Sequence, residues 1–141
     1  MKTAVIFWSG TGHTETMAGA VSEGLKAGGA DTELFRVSEI SADAAAEYDA
    51  LALGCPAMGS EELESEEFEP FFSALEPKLK GKKLALFGSY SWAEGQWMKD
   101  WQTRAEADGA VLAADGLAVY DDPDEEALGK CRSLGETLAG M

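Results

Sequence analysis

The sequence predicts an α/β protein built on a doubly wound parallel sheet with helices on both faces. Short apolar runs alternate with stretches of helical periodicity along all 141 residues. The runs are apolar at successive positions, as strands covered on two faces require. The stretch Trp8-Ser9-Gly10-Thr11-Gly12-His13-Thr14-Glu15 follows the first run directly, where such sheets place their ligand loops.

Thr3 to Trp8 reads as the first strand. From about His13 to Gly28, residues Met17, Val21 and Leu25 recur at helical spacing, and Gly28-Gly29 ends the helix. Glu33 to Val37 is a second strand, and Ala50 to Cys55 a third, stopped by Pro56. Phe68, Phe71, Phe72 and Leu75 mark the apolar face of a helix that Pro77 and Gly81 close. Lys83 to Phe87 is the fourth strand, followed by a helix from about Gly95 to Asp108. Trp97 and Trp101, four apart on that helix, are assigned to packing or partial exposure rather than to a site. Val111 to Tyr120 supplies the fifth strand, with Gly116 marking a bulge. In the last helix Asp122 is expected as the cap and Pro123 at the first position. Asp124, Glu125 and Glu126 then favour its positive end. Leu128, Leu134 and Leu138 face the core. With no repeat or linker, residues 1–141 are expected to form one domain.

Composition narrows the function. Eleven basic against 26 acidic residues give a formal net charge of -15. Clustered Lys and Arg are what phosphate backbones and acidic membranes attract, so neither nucleic acid nor a membrane is an expected partner. The excess of acid suits solubility, or steering onto basic proteins. Cys55 and Cys131 lack metal or redox spacing, and His13 is the sole histidine, which argues against a structural zinc site. No run reaches the roughly 18 apolar residues of a membrane span. The expectation is a soluble, cytoplasmic protein.

Ligands of doubly wound sheets sit at the carboxyl ends of the strands, beside the switch in strand order. That brings loops 9–14, 56–62 and 89–94 together. In the first, Gly10 and Gly12 let several N–H groups point inward, and Ser9, Thr11 and Thr14 add hydroxyls before a helix N-terminus. The loop lacks the GK[ST] ending of a Walker motif, so ATP chemistry is not expected. By itself the loop is either a phosphate cradle or a tight turn. His13 is expected to offer its backbone N–H there rather than to act as a catalyst. The third loop, Ser89-Tyr90-Ser91-Trp92-Ala93, carries two aromatics fit to hold a flat ring. The second, Pro56-Ala57-Met58-Gly59-Ser60-Glu61, offers a polarizable Met for the ring's other face. Beyond it runs an acidic stretch from 61 to 69, most of it expected as a solvated helix face.

The motifs WSGTGHT, GCPAMGSEE, EPFF, KLKGKK and FGSYSW with GQWM, in this order and spacing over essentially the whole chain, resemble the short-chain bacterial flavodoxins. The resemblance implies a five-stranded sheet of order 2-1-3-4-5 and one non-covalent FMN. It implies a low-potential electron carrier shuttling between semiquinone and hydroquinone states, not an enzyme. Ser9, Gly10, Thr11, Gly12, His13 and Thr14 would hold the phosphate. Met58 and Trp92 would flank the isoalloxazine, with Pro56 and Ala57 leading into that wall and Ser89 and Tyr90 into the facing one. Gly59 would turn its carbonyl to N5 by a flip of the Gly59–Ser60 peptide, and Glu61 would accept from N3–H. The N–H groups of Ser91 and Ala93 would lie near O2 and N1. With a net charge of -15 and no basic side chain expected at that edge, an anionic reduced flavin is disfavoured. At about 59 mV per tenfold in equilibrium, the potential falls accordingly. Partners would be oxidoreductases with basic docking faces, met by the acidic run at 61 to 69 and by Asp121-Asp122 on the rim of the flavin site, and the chain a monomer.

Relatives often carry Asp where this chain has Ser60, and GWG where it has Ser91-Trp92-Ala93. A side chain at a position that uses positive φ carries strain of roughly 1–2 kcal/mol. The alternative reading is an FMN-dependent NAD(P)H:quinone reductase on the same fold, which needs inserted loops or a dimer to build a second pocket. A receiver domain would need acidic metal ligands where Trp8-Ser9 and Cys55-Pro56 stand.

Overall fold

The computed structural model describes residues 1–58, 62–91 and 95–141. The chain runs β1 (Lys2–Phe7), α1 (His13–Ala27), β2 (Asp31–Arg36), α2 (Ala42–Ala45), β3 (Ala50–Gly54) and α3 (Phe68–Leu75). It continues β4 (Lys83–Tyr90), α4 (Gln96–Ala107), β5 (Val111–Leu112), β6 (Leu117–Tyr120) and α5 (Glu125–Ala139). The strands form a parallel sheet of order β2-β1-β3-β4-β5, and β6 also pairs with β4. The strand order reverses between β1 and β3, the point at which doubly wound folds place their ligand.

Alternation along the central strands sorts the core into two layers. Ala4, Ile6, Leu51, Leu53, Leu84 and Leu86 point to one face and meet Phe68, Phe72, Leu75, Trp97 and Trp101 from α3 and α4. Val5, Phe7, Ala50, Ala52, Ala85 and Phe87 point to the other and meet Met17, Val21, Leu25, Leu134 and Leu138 from α1 and α5. This is the period-2 geometry of a strand covered on both sides.

Trp97 and Trp101 are both 2 % exposed. The Trp101 indole stands edge-on to Phe68 and Phe72, with ring centres 5.4 and 5.9 Å away. Both are core, as expected from their spacing.

Two local expectations are corrected. The segment from Val111 to Tyr120 is not one strand with a bulge: Ala113 to Gly116 break it, and the two pieces pair separately with opposite ends of β4. Gly116 lies against Met98, whose sulfur would overlap an added Cβ, so the break admits a helix side chain where a continuous strand would exclude it. The last helix starts later than expected. Asp124 is its cap, accepting from the Ala127 N–H at 2.9 Å, and Pro123 is buried ahead of the helix.

Candidate functional site

Three strand ends deliver the site. Phe7 of β1, Gly54 of β3 and Phe87 of β4 lie side by side in register. The loops that follow them surround a cleft of about 280 Å³. Its walls are Trp8, Gly10, Thr11 and His13 from the first loop, Pro56, Ala57 and Met58 from the second, and Ser89, Tyr90 and Ser91 from the third. Two larger grooves, of about 440 and 530 Å³, flank the β5–β6 break on the two sides of the sheet edge. Neither lies at the carboxyl ends of the central strands, so the smaller cleft is the candidate site.

The first loop is held by its own groups. The Ser9 hydroxyl oxygen accepts from the Gly12 N–H at 3.1 Å, and Thr16 donates back to the Gly12 carbonyl at 2.9 Å. Gly12 sits at φ 96, a conformation open to glycine and costly for other residues, and precedes α1 with no side-chain cap. Helix N-termini leave several N–H groups without intrahelical partners and carry the positive end of the macrodipole, and α1 begins at His13, which with Gly10 and Thr11 lines the cleft. That arrangement suits a phosphate, and it needs no lysine.

Thr14 is 1 % exposed, and its hydroxyl lies 3.1 Å from that of Ser89, tying the start of α1 to the end of β4. The Ala57 N–H donates to the Ser89 carbonyl at 3.0 Å, so all three loops are fastened below the cleft. Tyr90 packs against buried Trp97 at 5.7 Å, giving one wall an aromatic lining. A polar, anion-accepting end and an aromatic end within one cleft match the two halves of a flavin nucleotide. Gly59, Ser60, Glu61, Trp92 and Ala93, also expected at the site, lie outside the described residues.

Cys55 sits under the cleft but offers no reactive thiol. Burial pushes its pKa up to about 12, and its sulfur accepts from the Glu64 N–H at 3.4 Å. Ser91 stands where relatives often have glycine. Among the described non-glycine residues only Asp121 has positive φ, at 57°, so Ser91 carries no such strain.

One wall residue, Trp8, is absent from the residues expected at the site, and a second, Asp121, is expected only on its acidic rim. Trp8 lies over Gly10, 3.0 Å from where a Cβ would stand, and its indole donates to Glu67 at 3.2 Å. Asp121 enters from a fourth loop, after β6; its N–H donates to the Tyr90 carbonyl at 2.6 Å. Its charge puts it on the rim, and the turn at φ 57, which aspartate tolerates, brings it into the wall. His13, which has no carboxylate in its own loop, has Asp122 of that fourth loop 3.8 Å from Nε2.

The acidic stretch divides. Glu64 is 6 % exposed and accepts from the N–H groups of Glu66, Glu67 and Phe68 at 2.7–2.9 Å. Burial alone would raise its carboxyl, but these hydrogen bonds hold it below the ordinary range. Glu69 is bound by Arg104. Glu62, Glu66 and Glu67 remain exposed, and Glu67 reaches the cleft wall by accepting from Trp8. Among the described residues no group of histidines, cysteines and carboxylates is arranged for a metal, and no helix is long and apolar enough to cross a membrane.

The profile of the flavodoxin family matches residues 5–135. A flavodoxin from Megasphaera elsdenii is 48% identical over 135 residues, covering 96% of each chain. One from Clostridium beijerinckii is 42% identical over 137 residues, covering 97% of this chain and 99% of the other. The solution structure of two-electron reduced Megasphaera elsdenii flavodoxin superposes with a TM-score of 0.89, covering 99% of both chains at 47% identity. Oxidised flavodoxin 1 from Bacillus cereus gives 0.87 at 27% identity, covering 99% of this chain and 98% of that one. With profile, relatives and architecture agreeing over nearly its whole length, the chain belongs to the flavodoxin family and is an FMN-binding electron carrier, not an enzyme.

Proposed function

We propose that the cleft binds FMN with the phosphate on the uncapped N-terminus of α1 and the flavin ring against the Tyr90 wall. The observation that carries this reading is Gly12 at φ 96, ahead of a helix start that no side chain caps. Backbone N–H groups of the Gly10 to Thr14 stretch bind the phosphate, the Gly12 N–H staying with the Ser9 oxygen that braces the turn, and the Ser9 and Thr11 hydroxyls donate to the phosphate. Met58 and Trp92 flank the ring, and Gly59 offers its carbonyl to N5. Glu61 accepts from N3–H, and the N–H groups of Ser91 and Ala93 serve the O2 and N1 edge. The bound FMN supplies the one-electron chemistry, and the protein sets its position and its electrostatic surroundings. The 15 excess negative charges oppose an anionic reduced flavin and favour a low potential. The 141 residues act as one cytoplasmic, monomeric domain that docks oxidoreductases by their basic faces.

Titrating the apoprotein with FMN and with riboflavin tests the phosphate assignment. Ser9→Ala with Thr11→Ala should weaken FMN at least tenfold, since each lost hydrogen bond to a charged group is worth about 1.5–3 kcal/mol. Riboflavin affinity should hardly move. Equal losses for both ligands would place the phosphate elsewhere. In the same preparation, electron transfer to a basic partner should slow as salt shortens the Debye length from about 30 to 10 Å. A rate indifferent to ionic strength overturns electrostatic docking.

A further inference from the structure

Tyr120 is 63 % exposed, more than any other large apolar side chain among the described residues, where Val111 reaches 48 % and Leu34 46 %. It is nonetheless anchored. Its ring stands edge-on to Tyr90 with centres 5.5 Å apart, and Tyr90 leans on buried Trp97 at 5.7 Å. Tyr90 lines the cofactor cleft and Tyr120 does not, so Tyr120 lies just outside the cleft rim. The chain turns sharply straight after it, at Asp121 with φ 57. Asp121 and Asp122 are both exposed, the Asp122 side chain to 80 %. An immobilised aromatic ring and two carboxylates therefore share three consecutive positions beside the cleft.

We propose that Tyr120, Asp121 and Asp122 receive a lysine or arginine side chain from the basic face of a redox partner. The proposal rests on the electrostatic docking reading above and names where on the rim contact is made. Charge complementarity selects the occupant. The chain carries 26 acidic against 11 basic residues, so a free cation on a partner is drawn to this rim, and an aromatic face adds attraction that salt screens less than the carboxylates' field. The ring's contacts with Tyr90 fix its orientation before the partner arrives, which lowers the ordering cost of association. Tyrosine and arginine are also the residue types that dominate interface energetics. A bare surface role would leave Tyr120 replaceable by any apolar group of similar bulk, which the test exploits.

Oxidised mitochondrial cytochrome c, a basic haem protein, serves as the probe. Its binding to the oxidised, FMN-loaded protein is measured by calorimetry at low and moderate ionic strength. In a second readout one electron passes from the chemically reduced protein to the ferric haem in a stopped-flow cell. Tyr120→Phe keeps the ring and should match the parent in both. Tyr120→Leu keeps the bulk and should bind and react about two- to fivefold more weakly, the size of an exposed cation–π contact. FMN affinity and melting temperature should be parental in both variants. Tyr120→Thr, suited to a strand end, repeats the test if the leucine variant melts early. A leucine variant equal to the parent, or a phenylalanine variant as impaired as leucine, overturns the proposal. Loss of all salt dependence in the parent instead overturns electrostatic docking, which these variants do not address.

Discussion

The two faces of the sheet are covered in opposite ways. On one, α1 and α5 meet at glycine: a Cβ on Gly24 would overlap the Arg132 carbonyl oxygen, and one on Gly135 the Val21 carbonyl oxygen. Backbone lies on backbone there. On the other, α3 and α4 are kept apart by Phe68, Phe72 and Trp101 and bound at the rim by Arg104 with Glu69 and Glu76. The loops inherit the difference. The cradle proposed for the phosphate is the N-terminus of α1, on the side where backbone contact leaves no room for adjustment. The loops assigned to the ring, 56–62 and 89–94, precede α3 and α4, on the face where side chains and charges provide the contact. A phosphate needs fixed donors, whereas a ring that changes redox state needs surroundings that can respond.

The largest effect should therefore come from Gly24→Val. A branched side chain cannot enter the contact with Arg132, and α1 has to move away from α5. Overpacking of this kind costs about 3 kcal/mol, or roughly 10 °C in melting temperature. Because α1 carries the cradle, FMN affinity should fall with it, and riboflavin affinity should fall less. A variant that melts with the parent would mean the helices have slack, and the contrast between the faces would disappear.

Next in size is Arg104→Met on the opposite face. Arg104 spans Glu69 at 2.6 and 2.7 Å and Glu76 at 2.7 and 3.0 Å, with its guanidinium 4.8 Å over the Phe72 ring. Hydrogen bonds from Arg104 are the main reason that both carboxyls lie below their ordinary range. A group with a depressed folded pKa contributes stability above its unfolded pKa and loses it as pH falls through the folded value. The methionine variant should thus lose about 1–2 kcal/mol at pH 7, a figure reduced for the partial exposure of the trio. The deficit should shrink as pH falls below about 4.5. Denaturant unfolding across pH 3.5–7 checks this, and a deficit independent of pH would assign the loss to packing on Phe72. FMN affinity should stay near the parent's, in contrast to Gly24→Val.

Sequence periodicity made this architecture legible but not the contrast within it. Apolar runs and i, i+4 spacing reveal strands and helix faces, because burial on a sheet imposes those periods wherever the partner comes from. The convergence of three loops followed from strand order alone. Partnerships between distant residues leave no such mark. Glu69 in the acidic run looks like its solvated neighbours until Arg104, 35 positions away, is brought against it. Glycines at 24 and 135 look like weak points in helices and are the places where the helices touch. Asp122, expected as a helix cap, instead faces His13, because Pro123 is buried ahead of the helix and Asp124 takes the cap. The short α2 was missed because its four residues are too few for any period; its signal was Ser41, whose hydroxyl accepts from the Ala44 N–H at 3.1 Å.

The smallest effect refines the same comparison by changing one atom on the adjustable face. Asp108, just beyond α4, has one carboxyl oxygen buried with no hydrogen-bond partner, and it lies beside Glu76. Burial, then the hydrogen bond and the repulsion from Glu76, push its pKa up to about 6. Two ionised carboxylates can only accept, so the pair is satisfied when Asp108 is protonated and donates. The sign follows from the direction of the shift. With a folded pKa above the unfolded 3.8, the folded chain holds this proton more tightly, and that stabilisation is lost as pH rises from about 4 through 6. Asp108→Asn supplies an N–H donor to Glu76 at every pH. It should therefore melt above the parent at pH 7, by less than about 1 kcal/mol in stability given partial exposure, and level with it near pH 3.5. Paired melting curves at the two pH values are sufficient. An asparagine variant no more stable than the parent at pH 7 would mean that water already satisfies the buried oxygen, and that the face held by side chains tolerates its excess charge without cost.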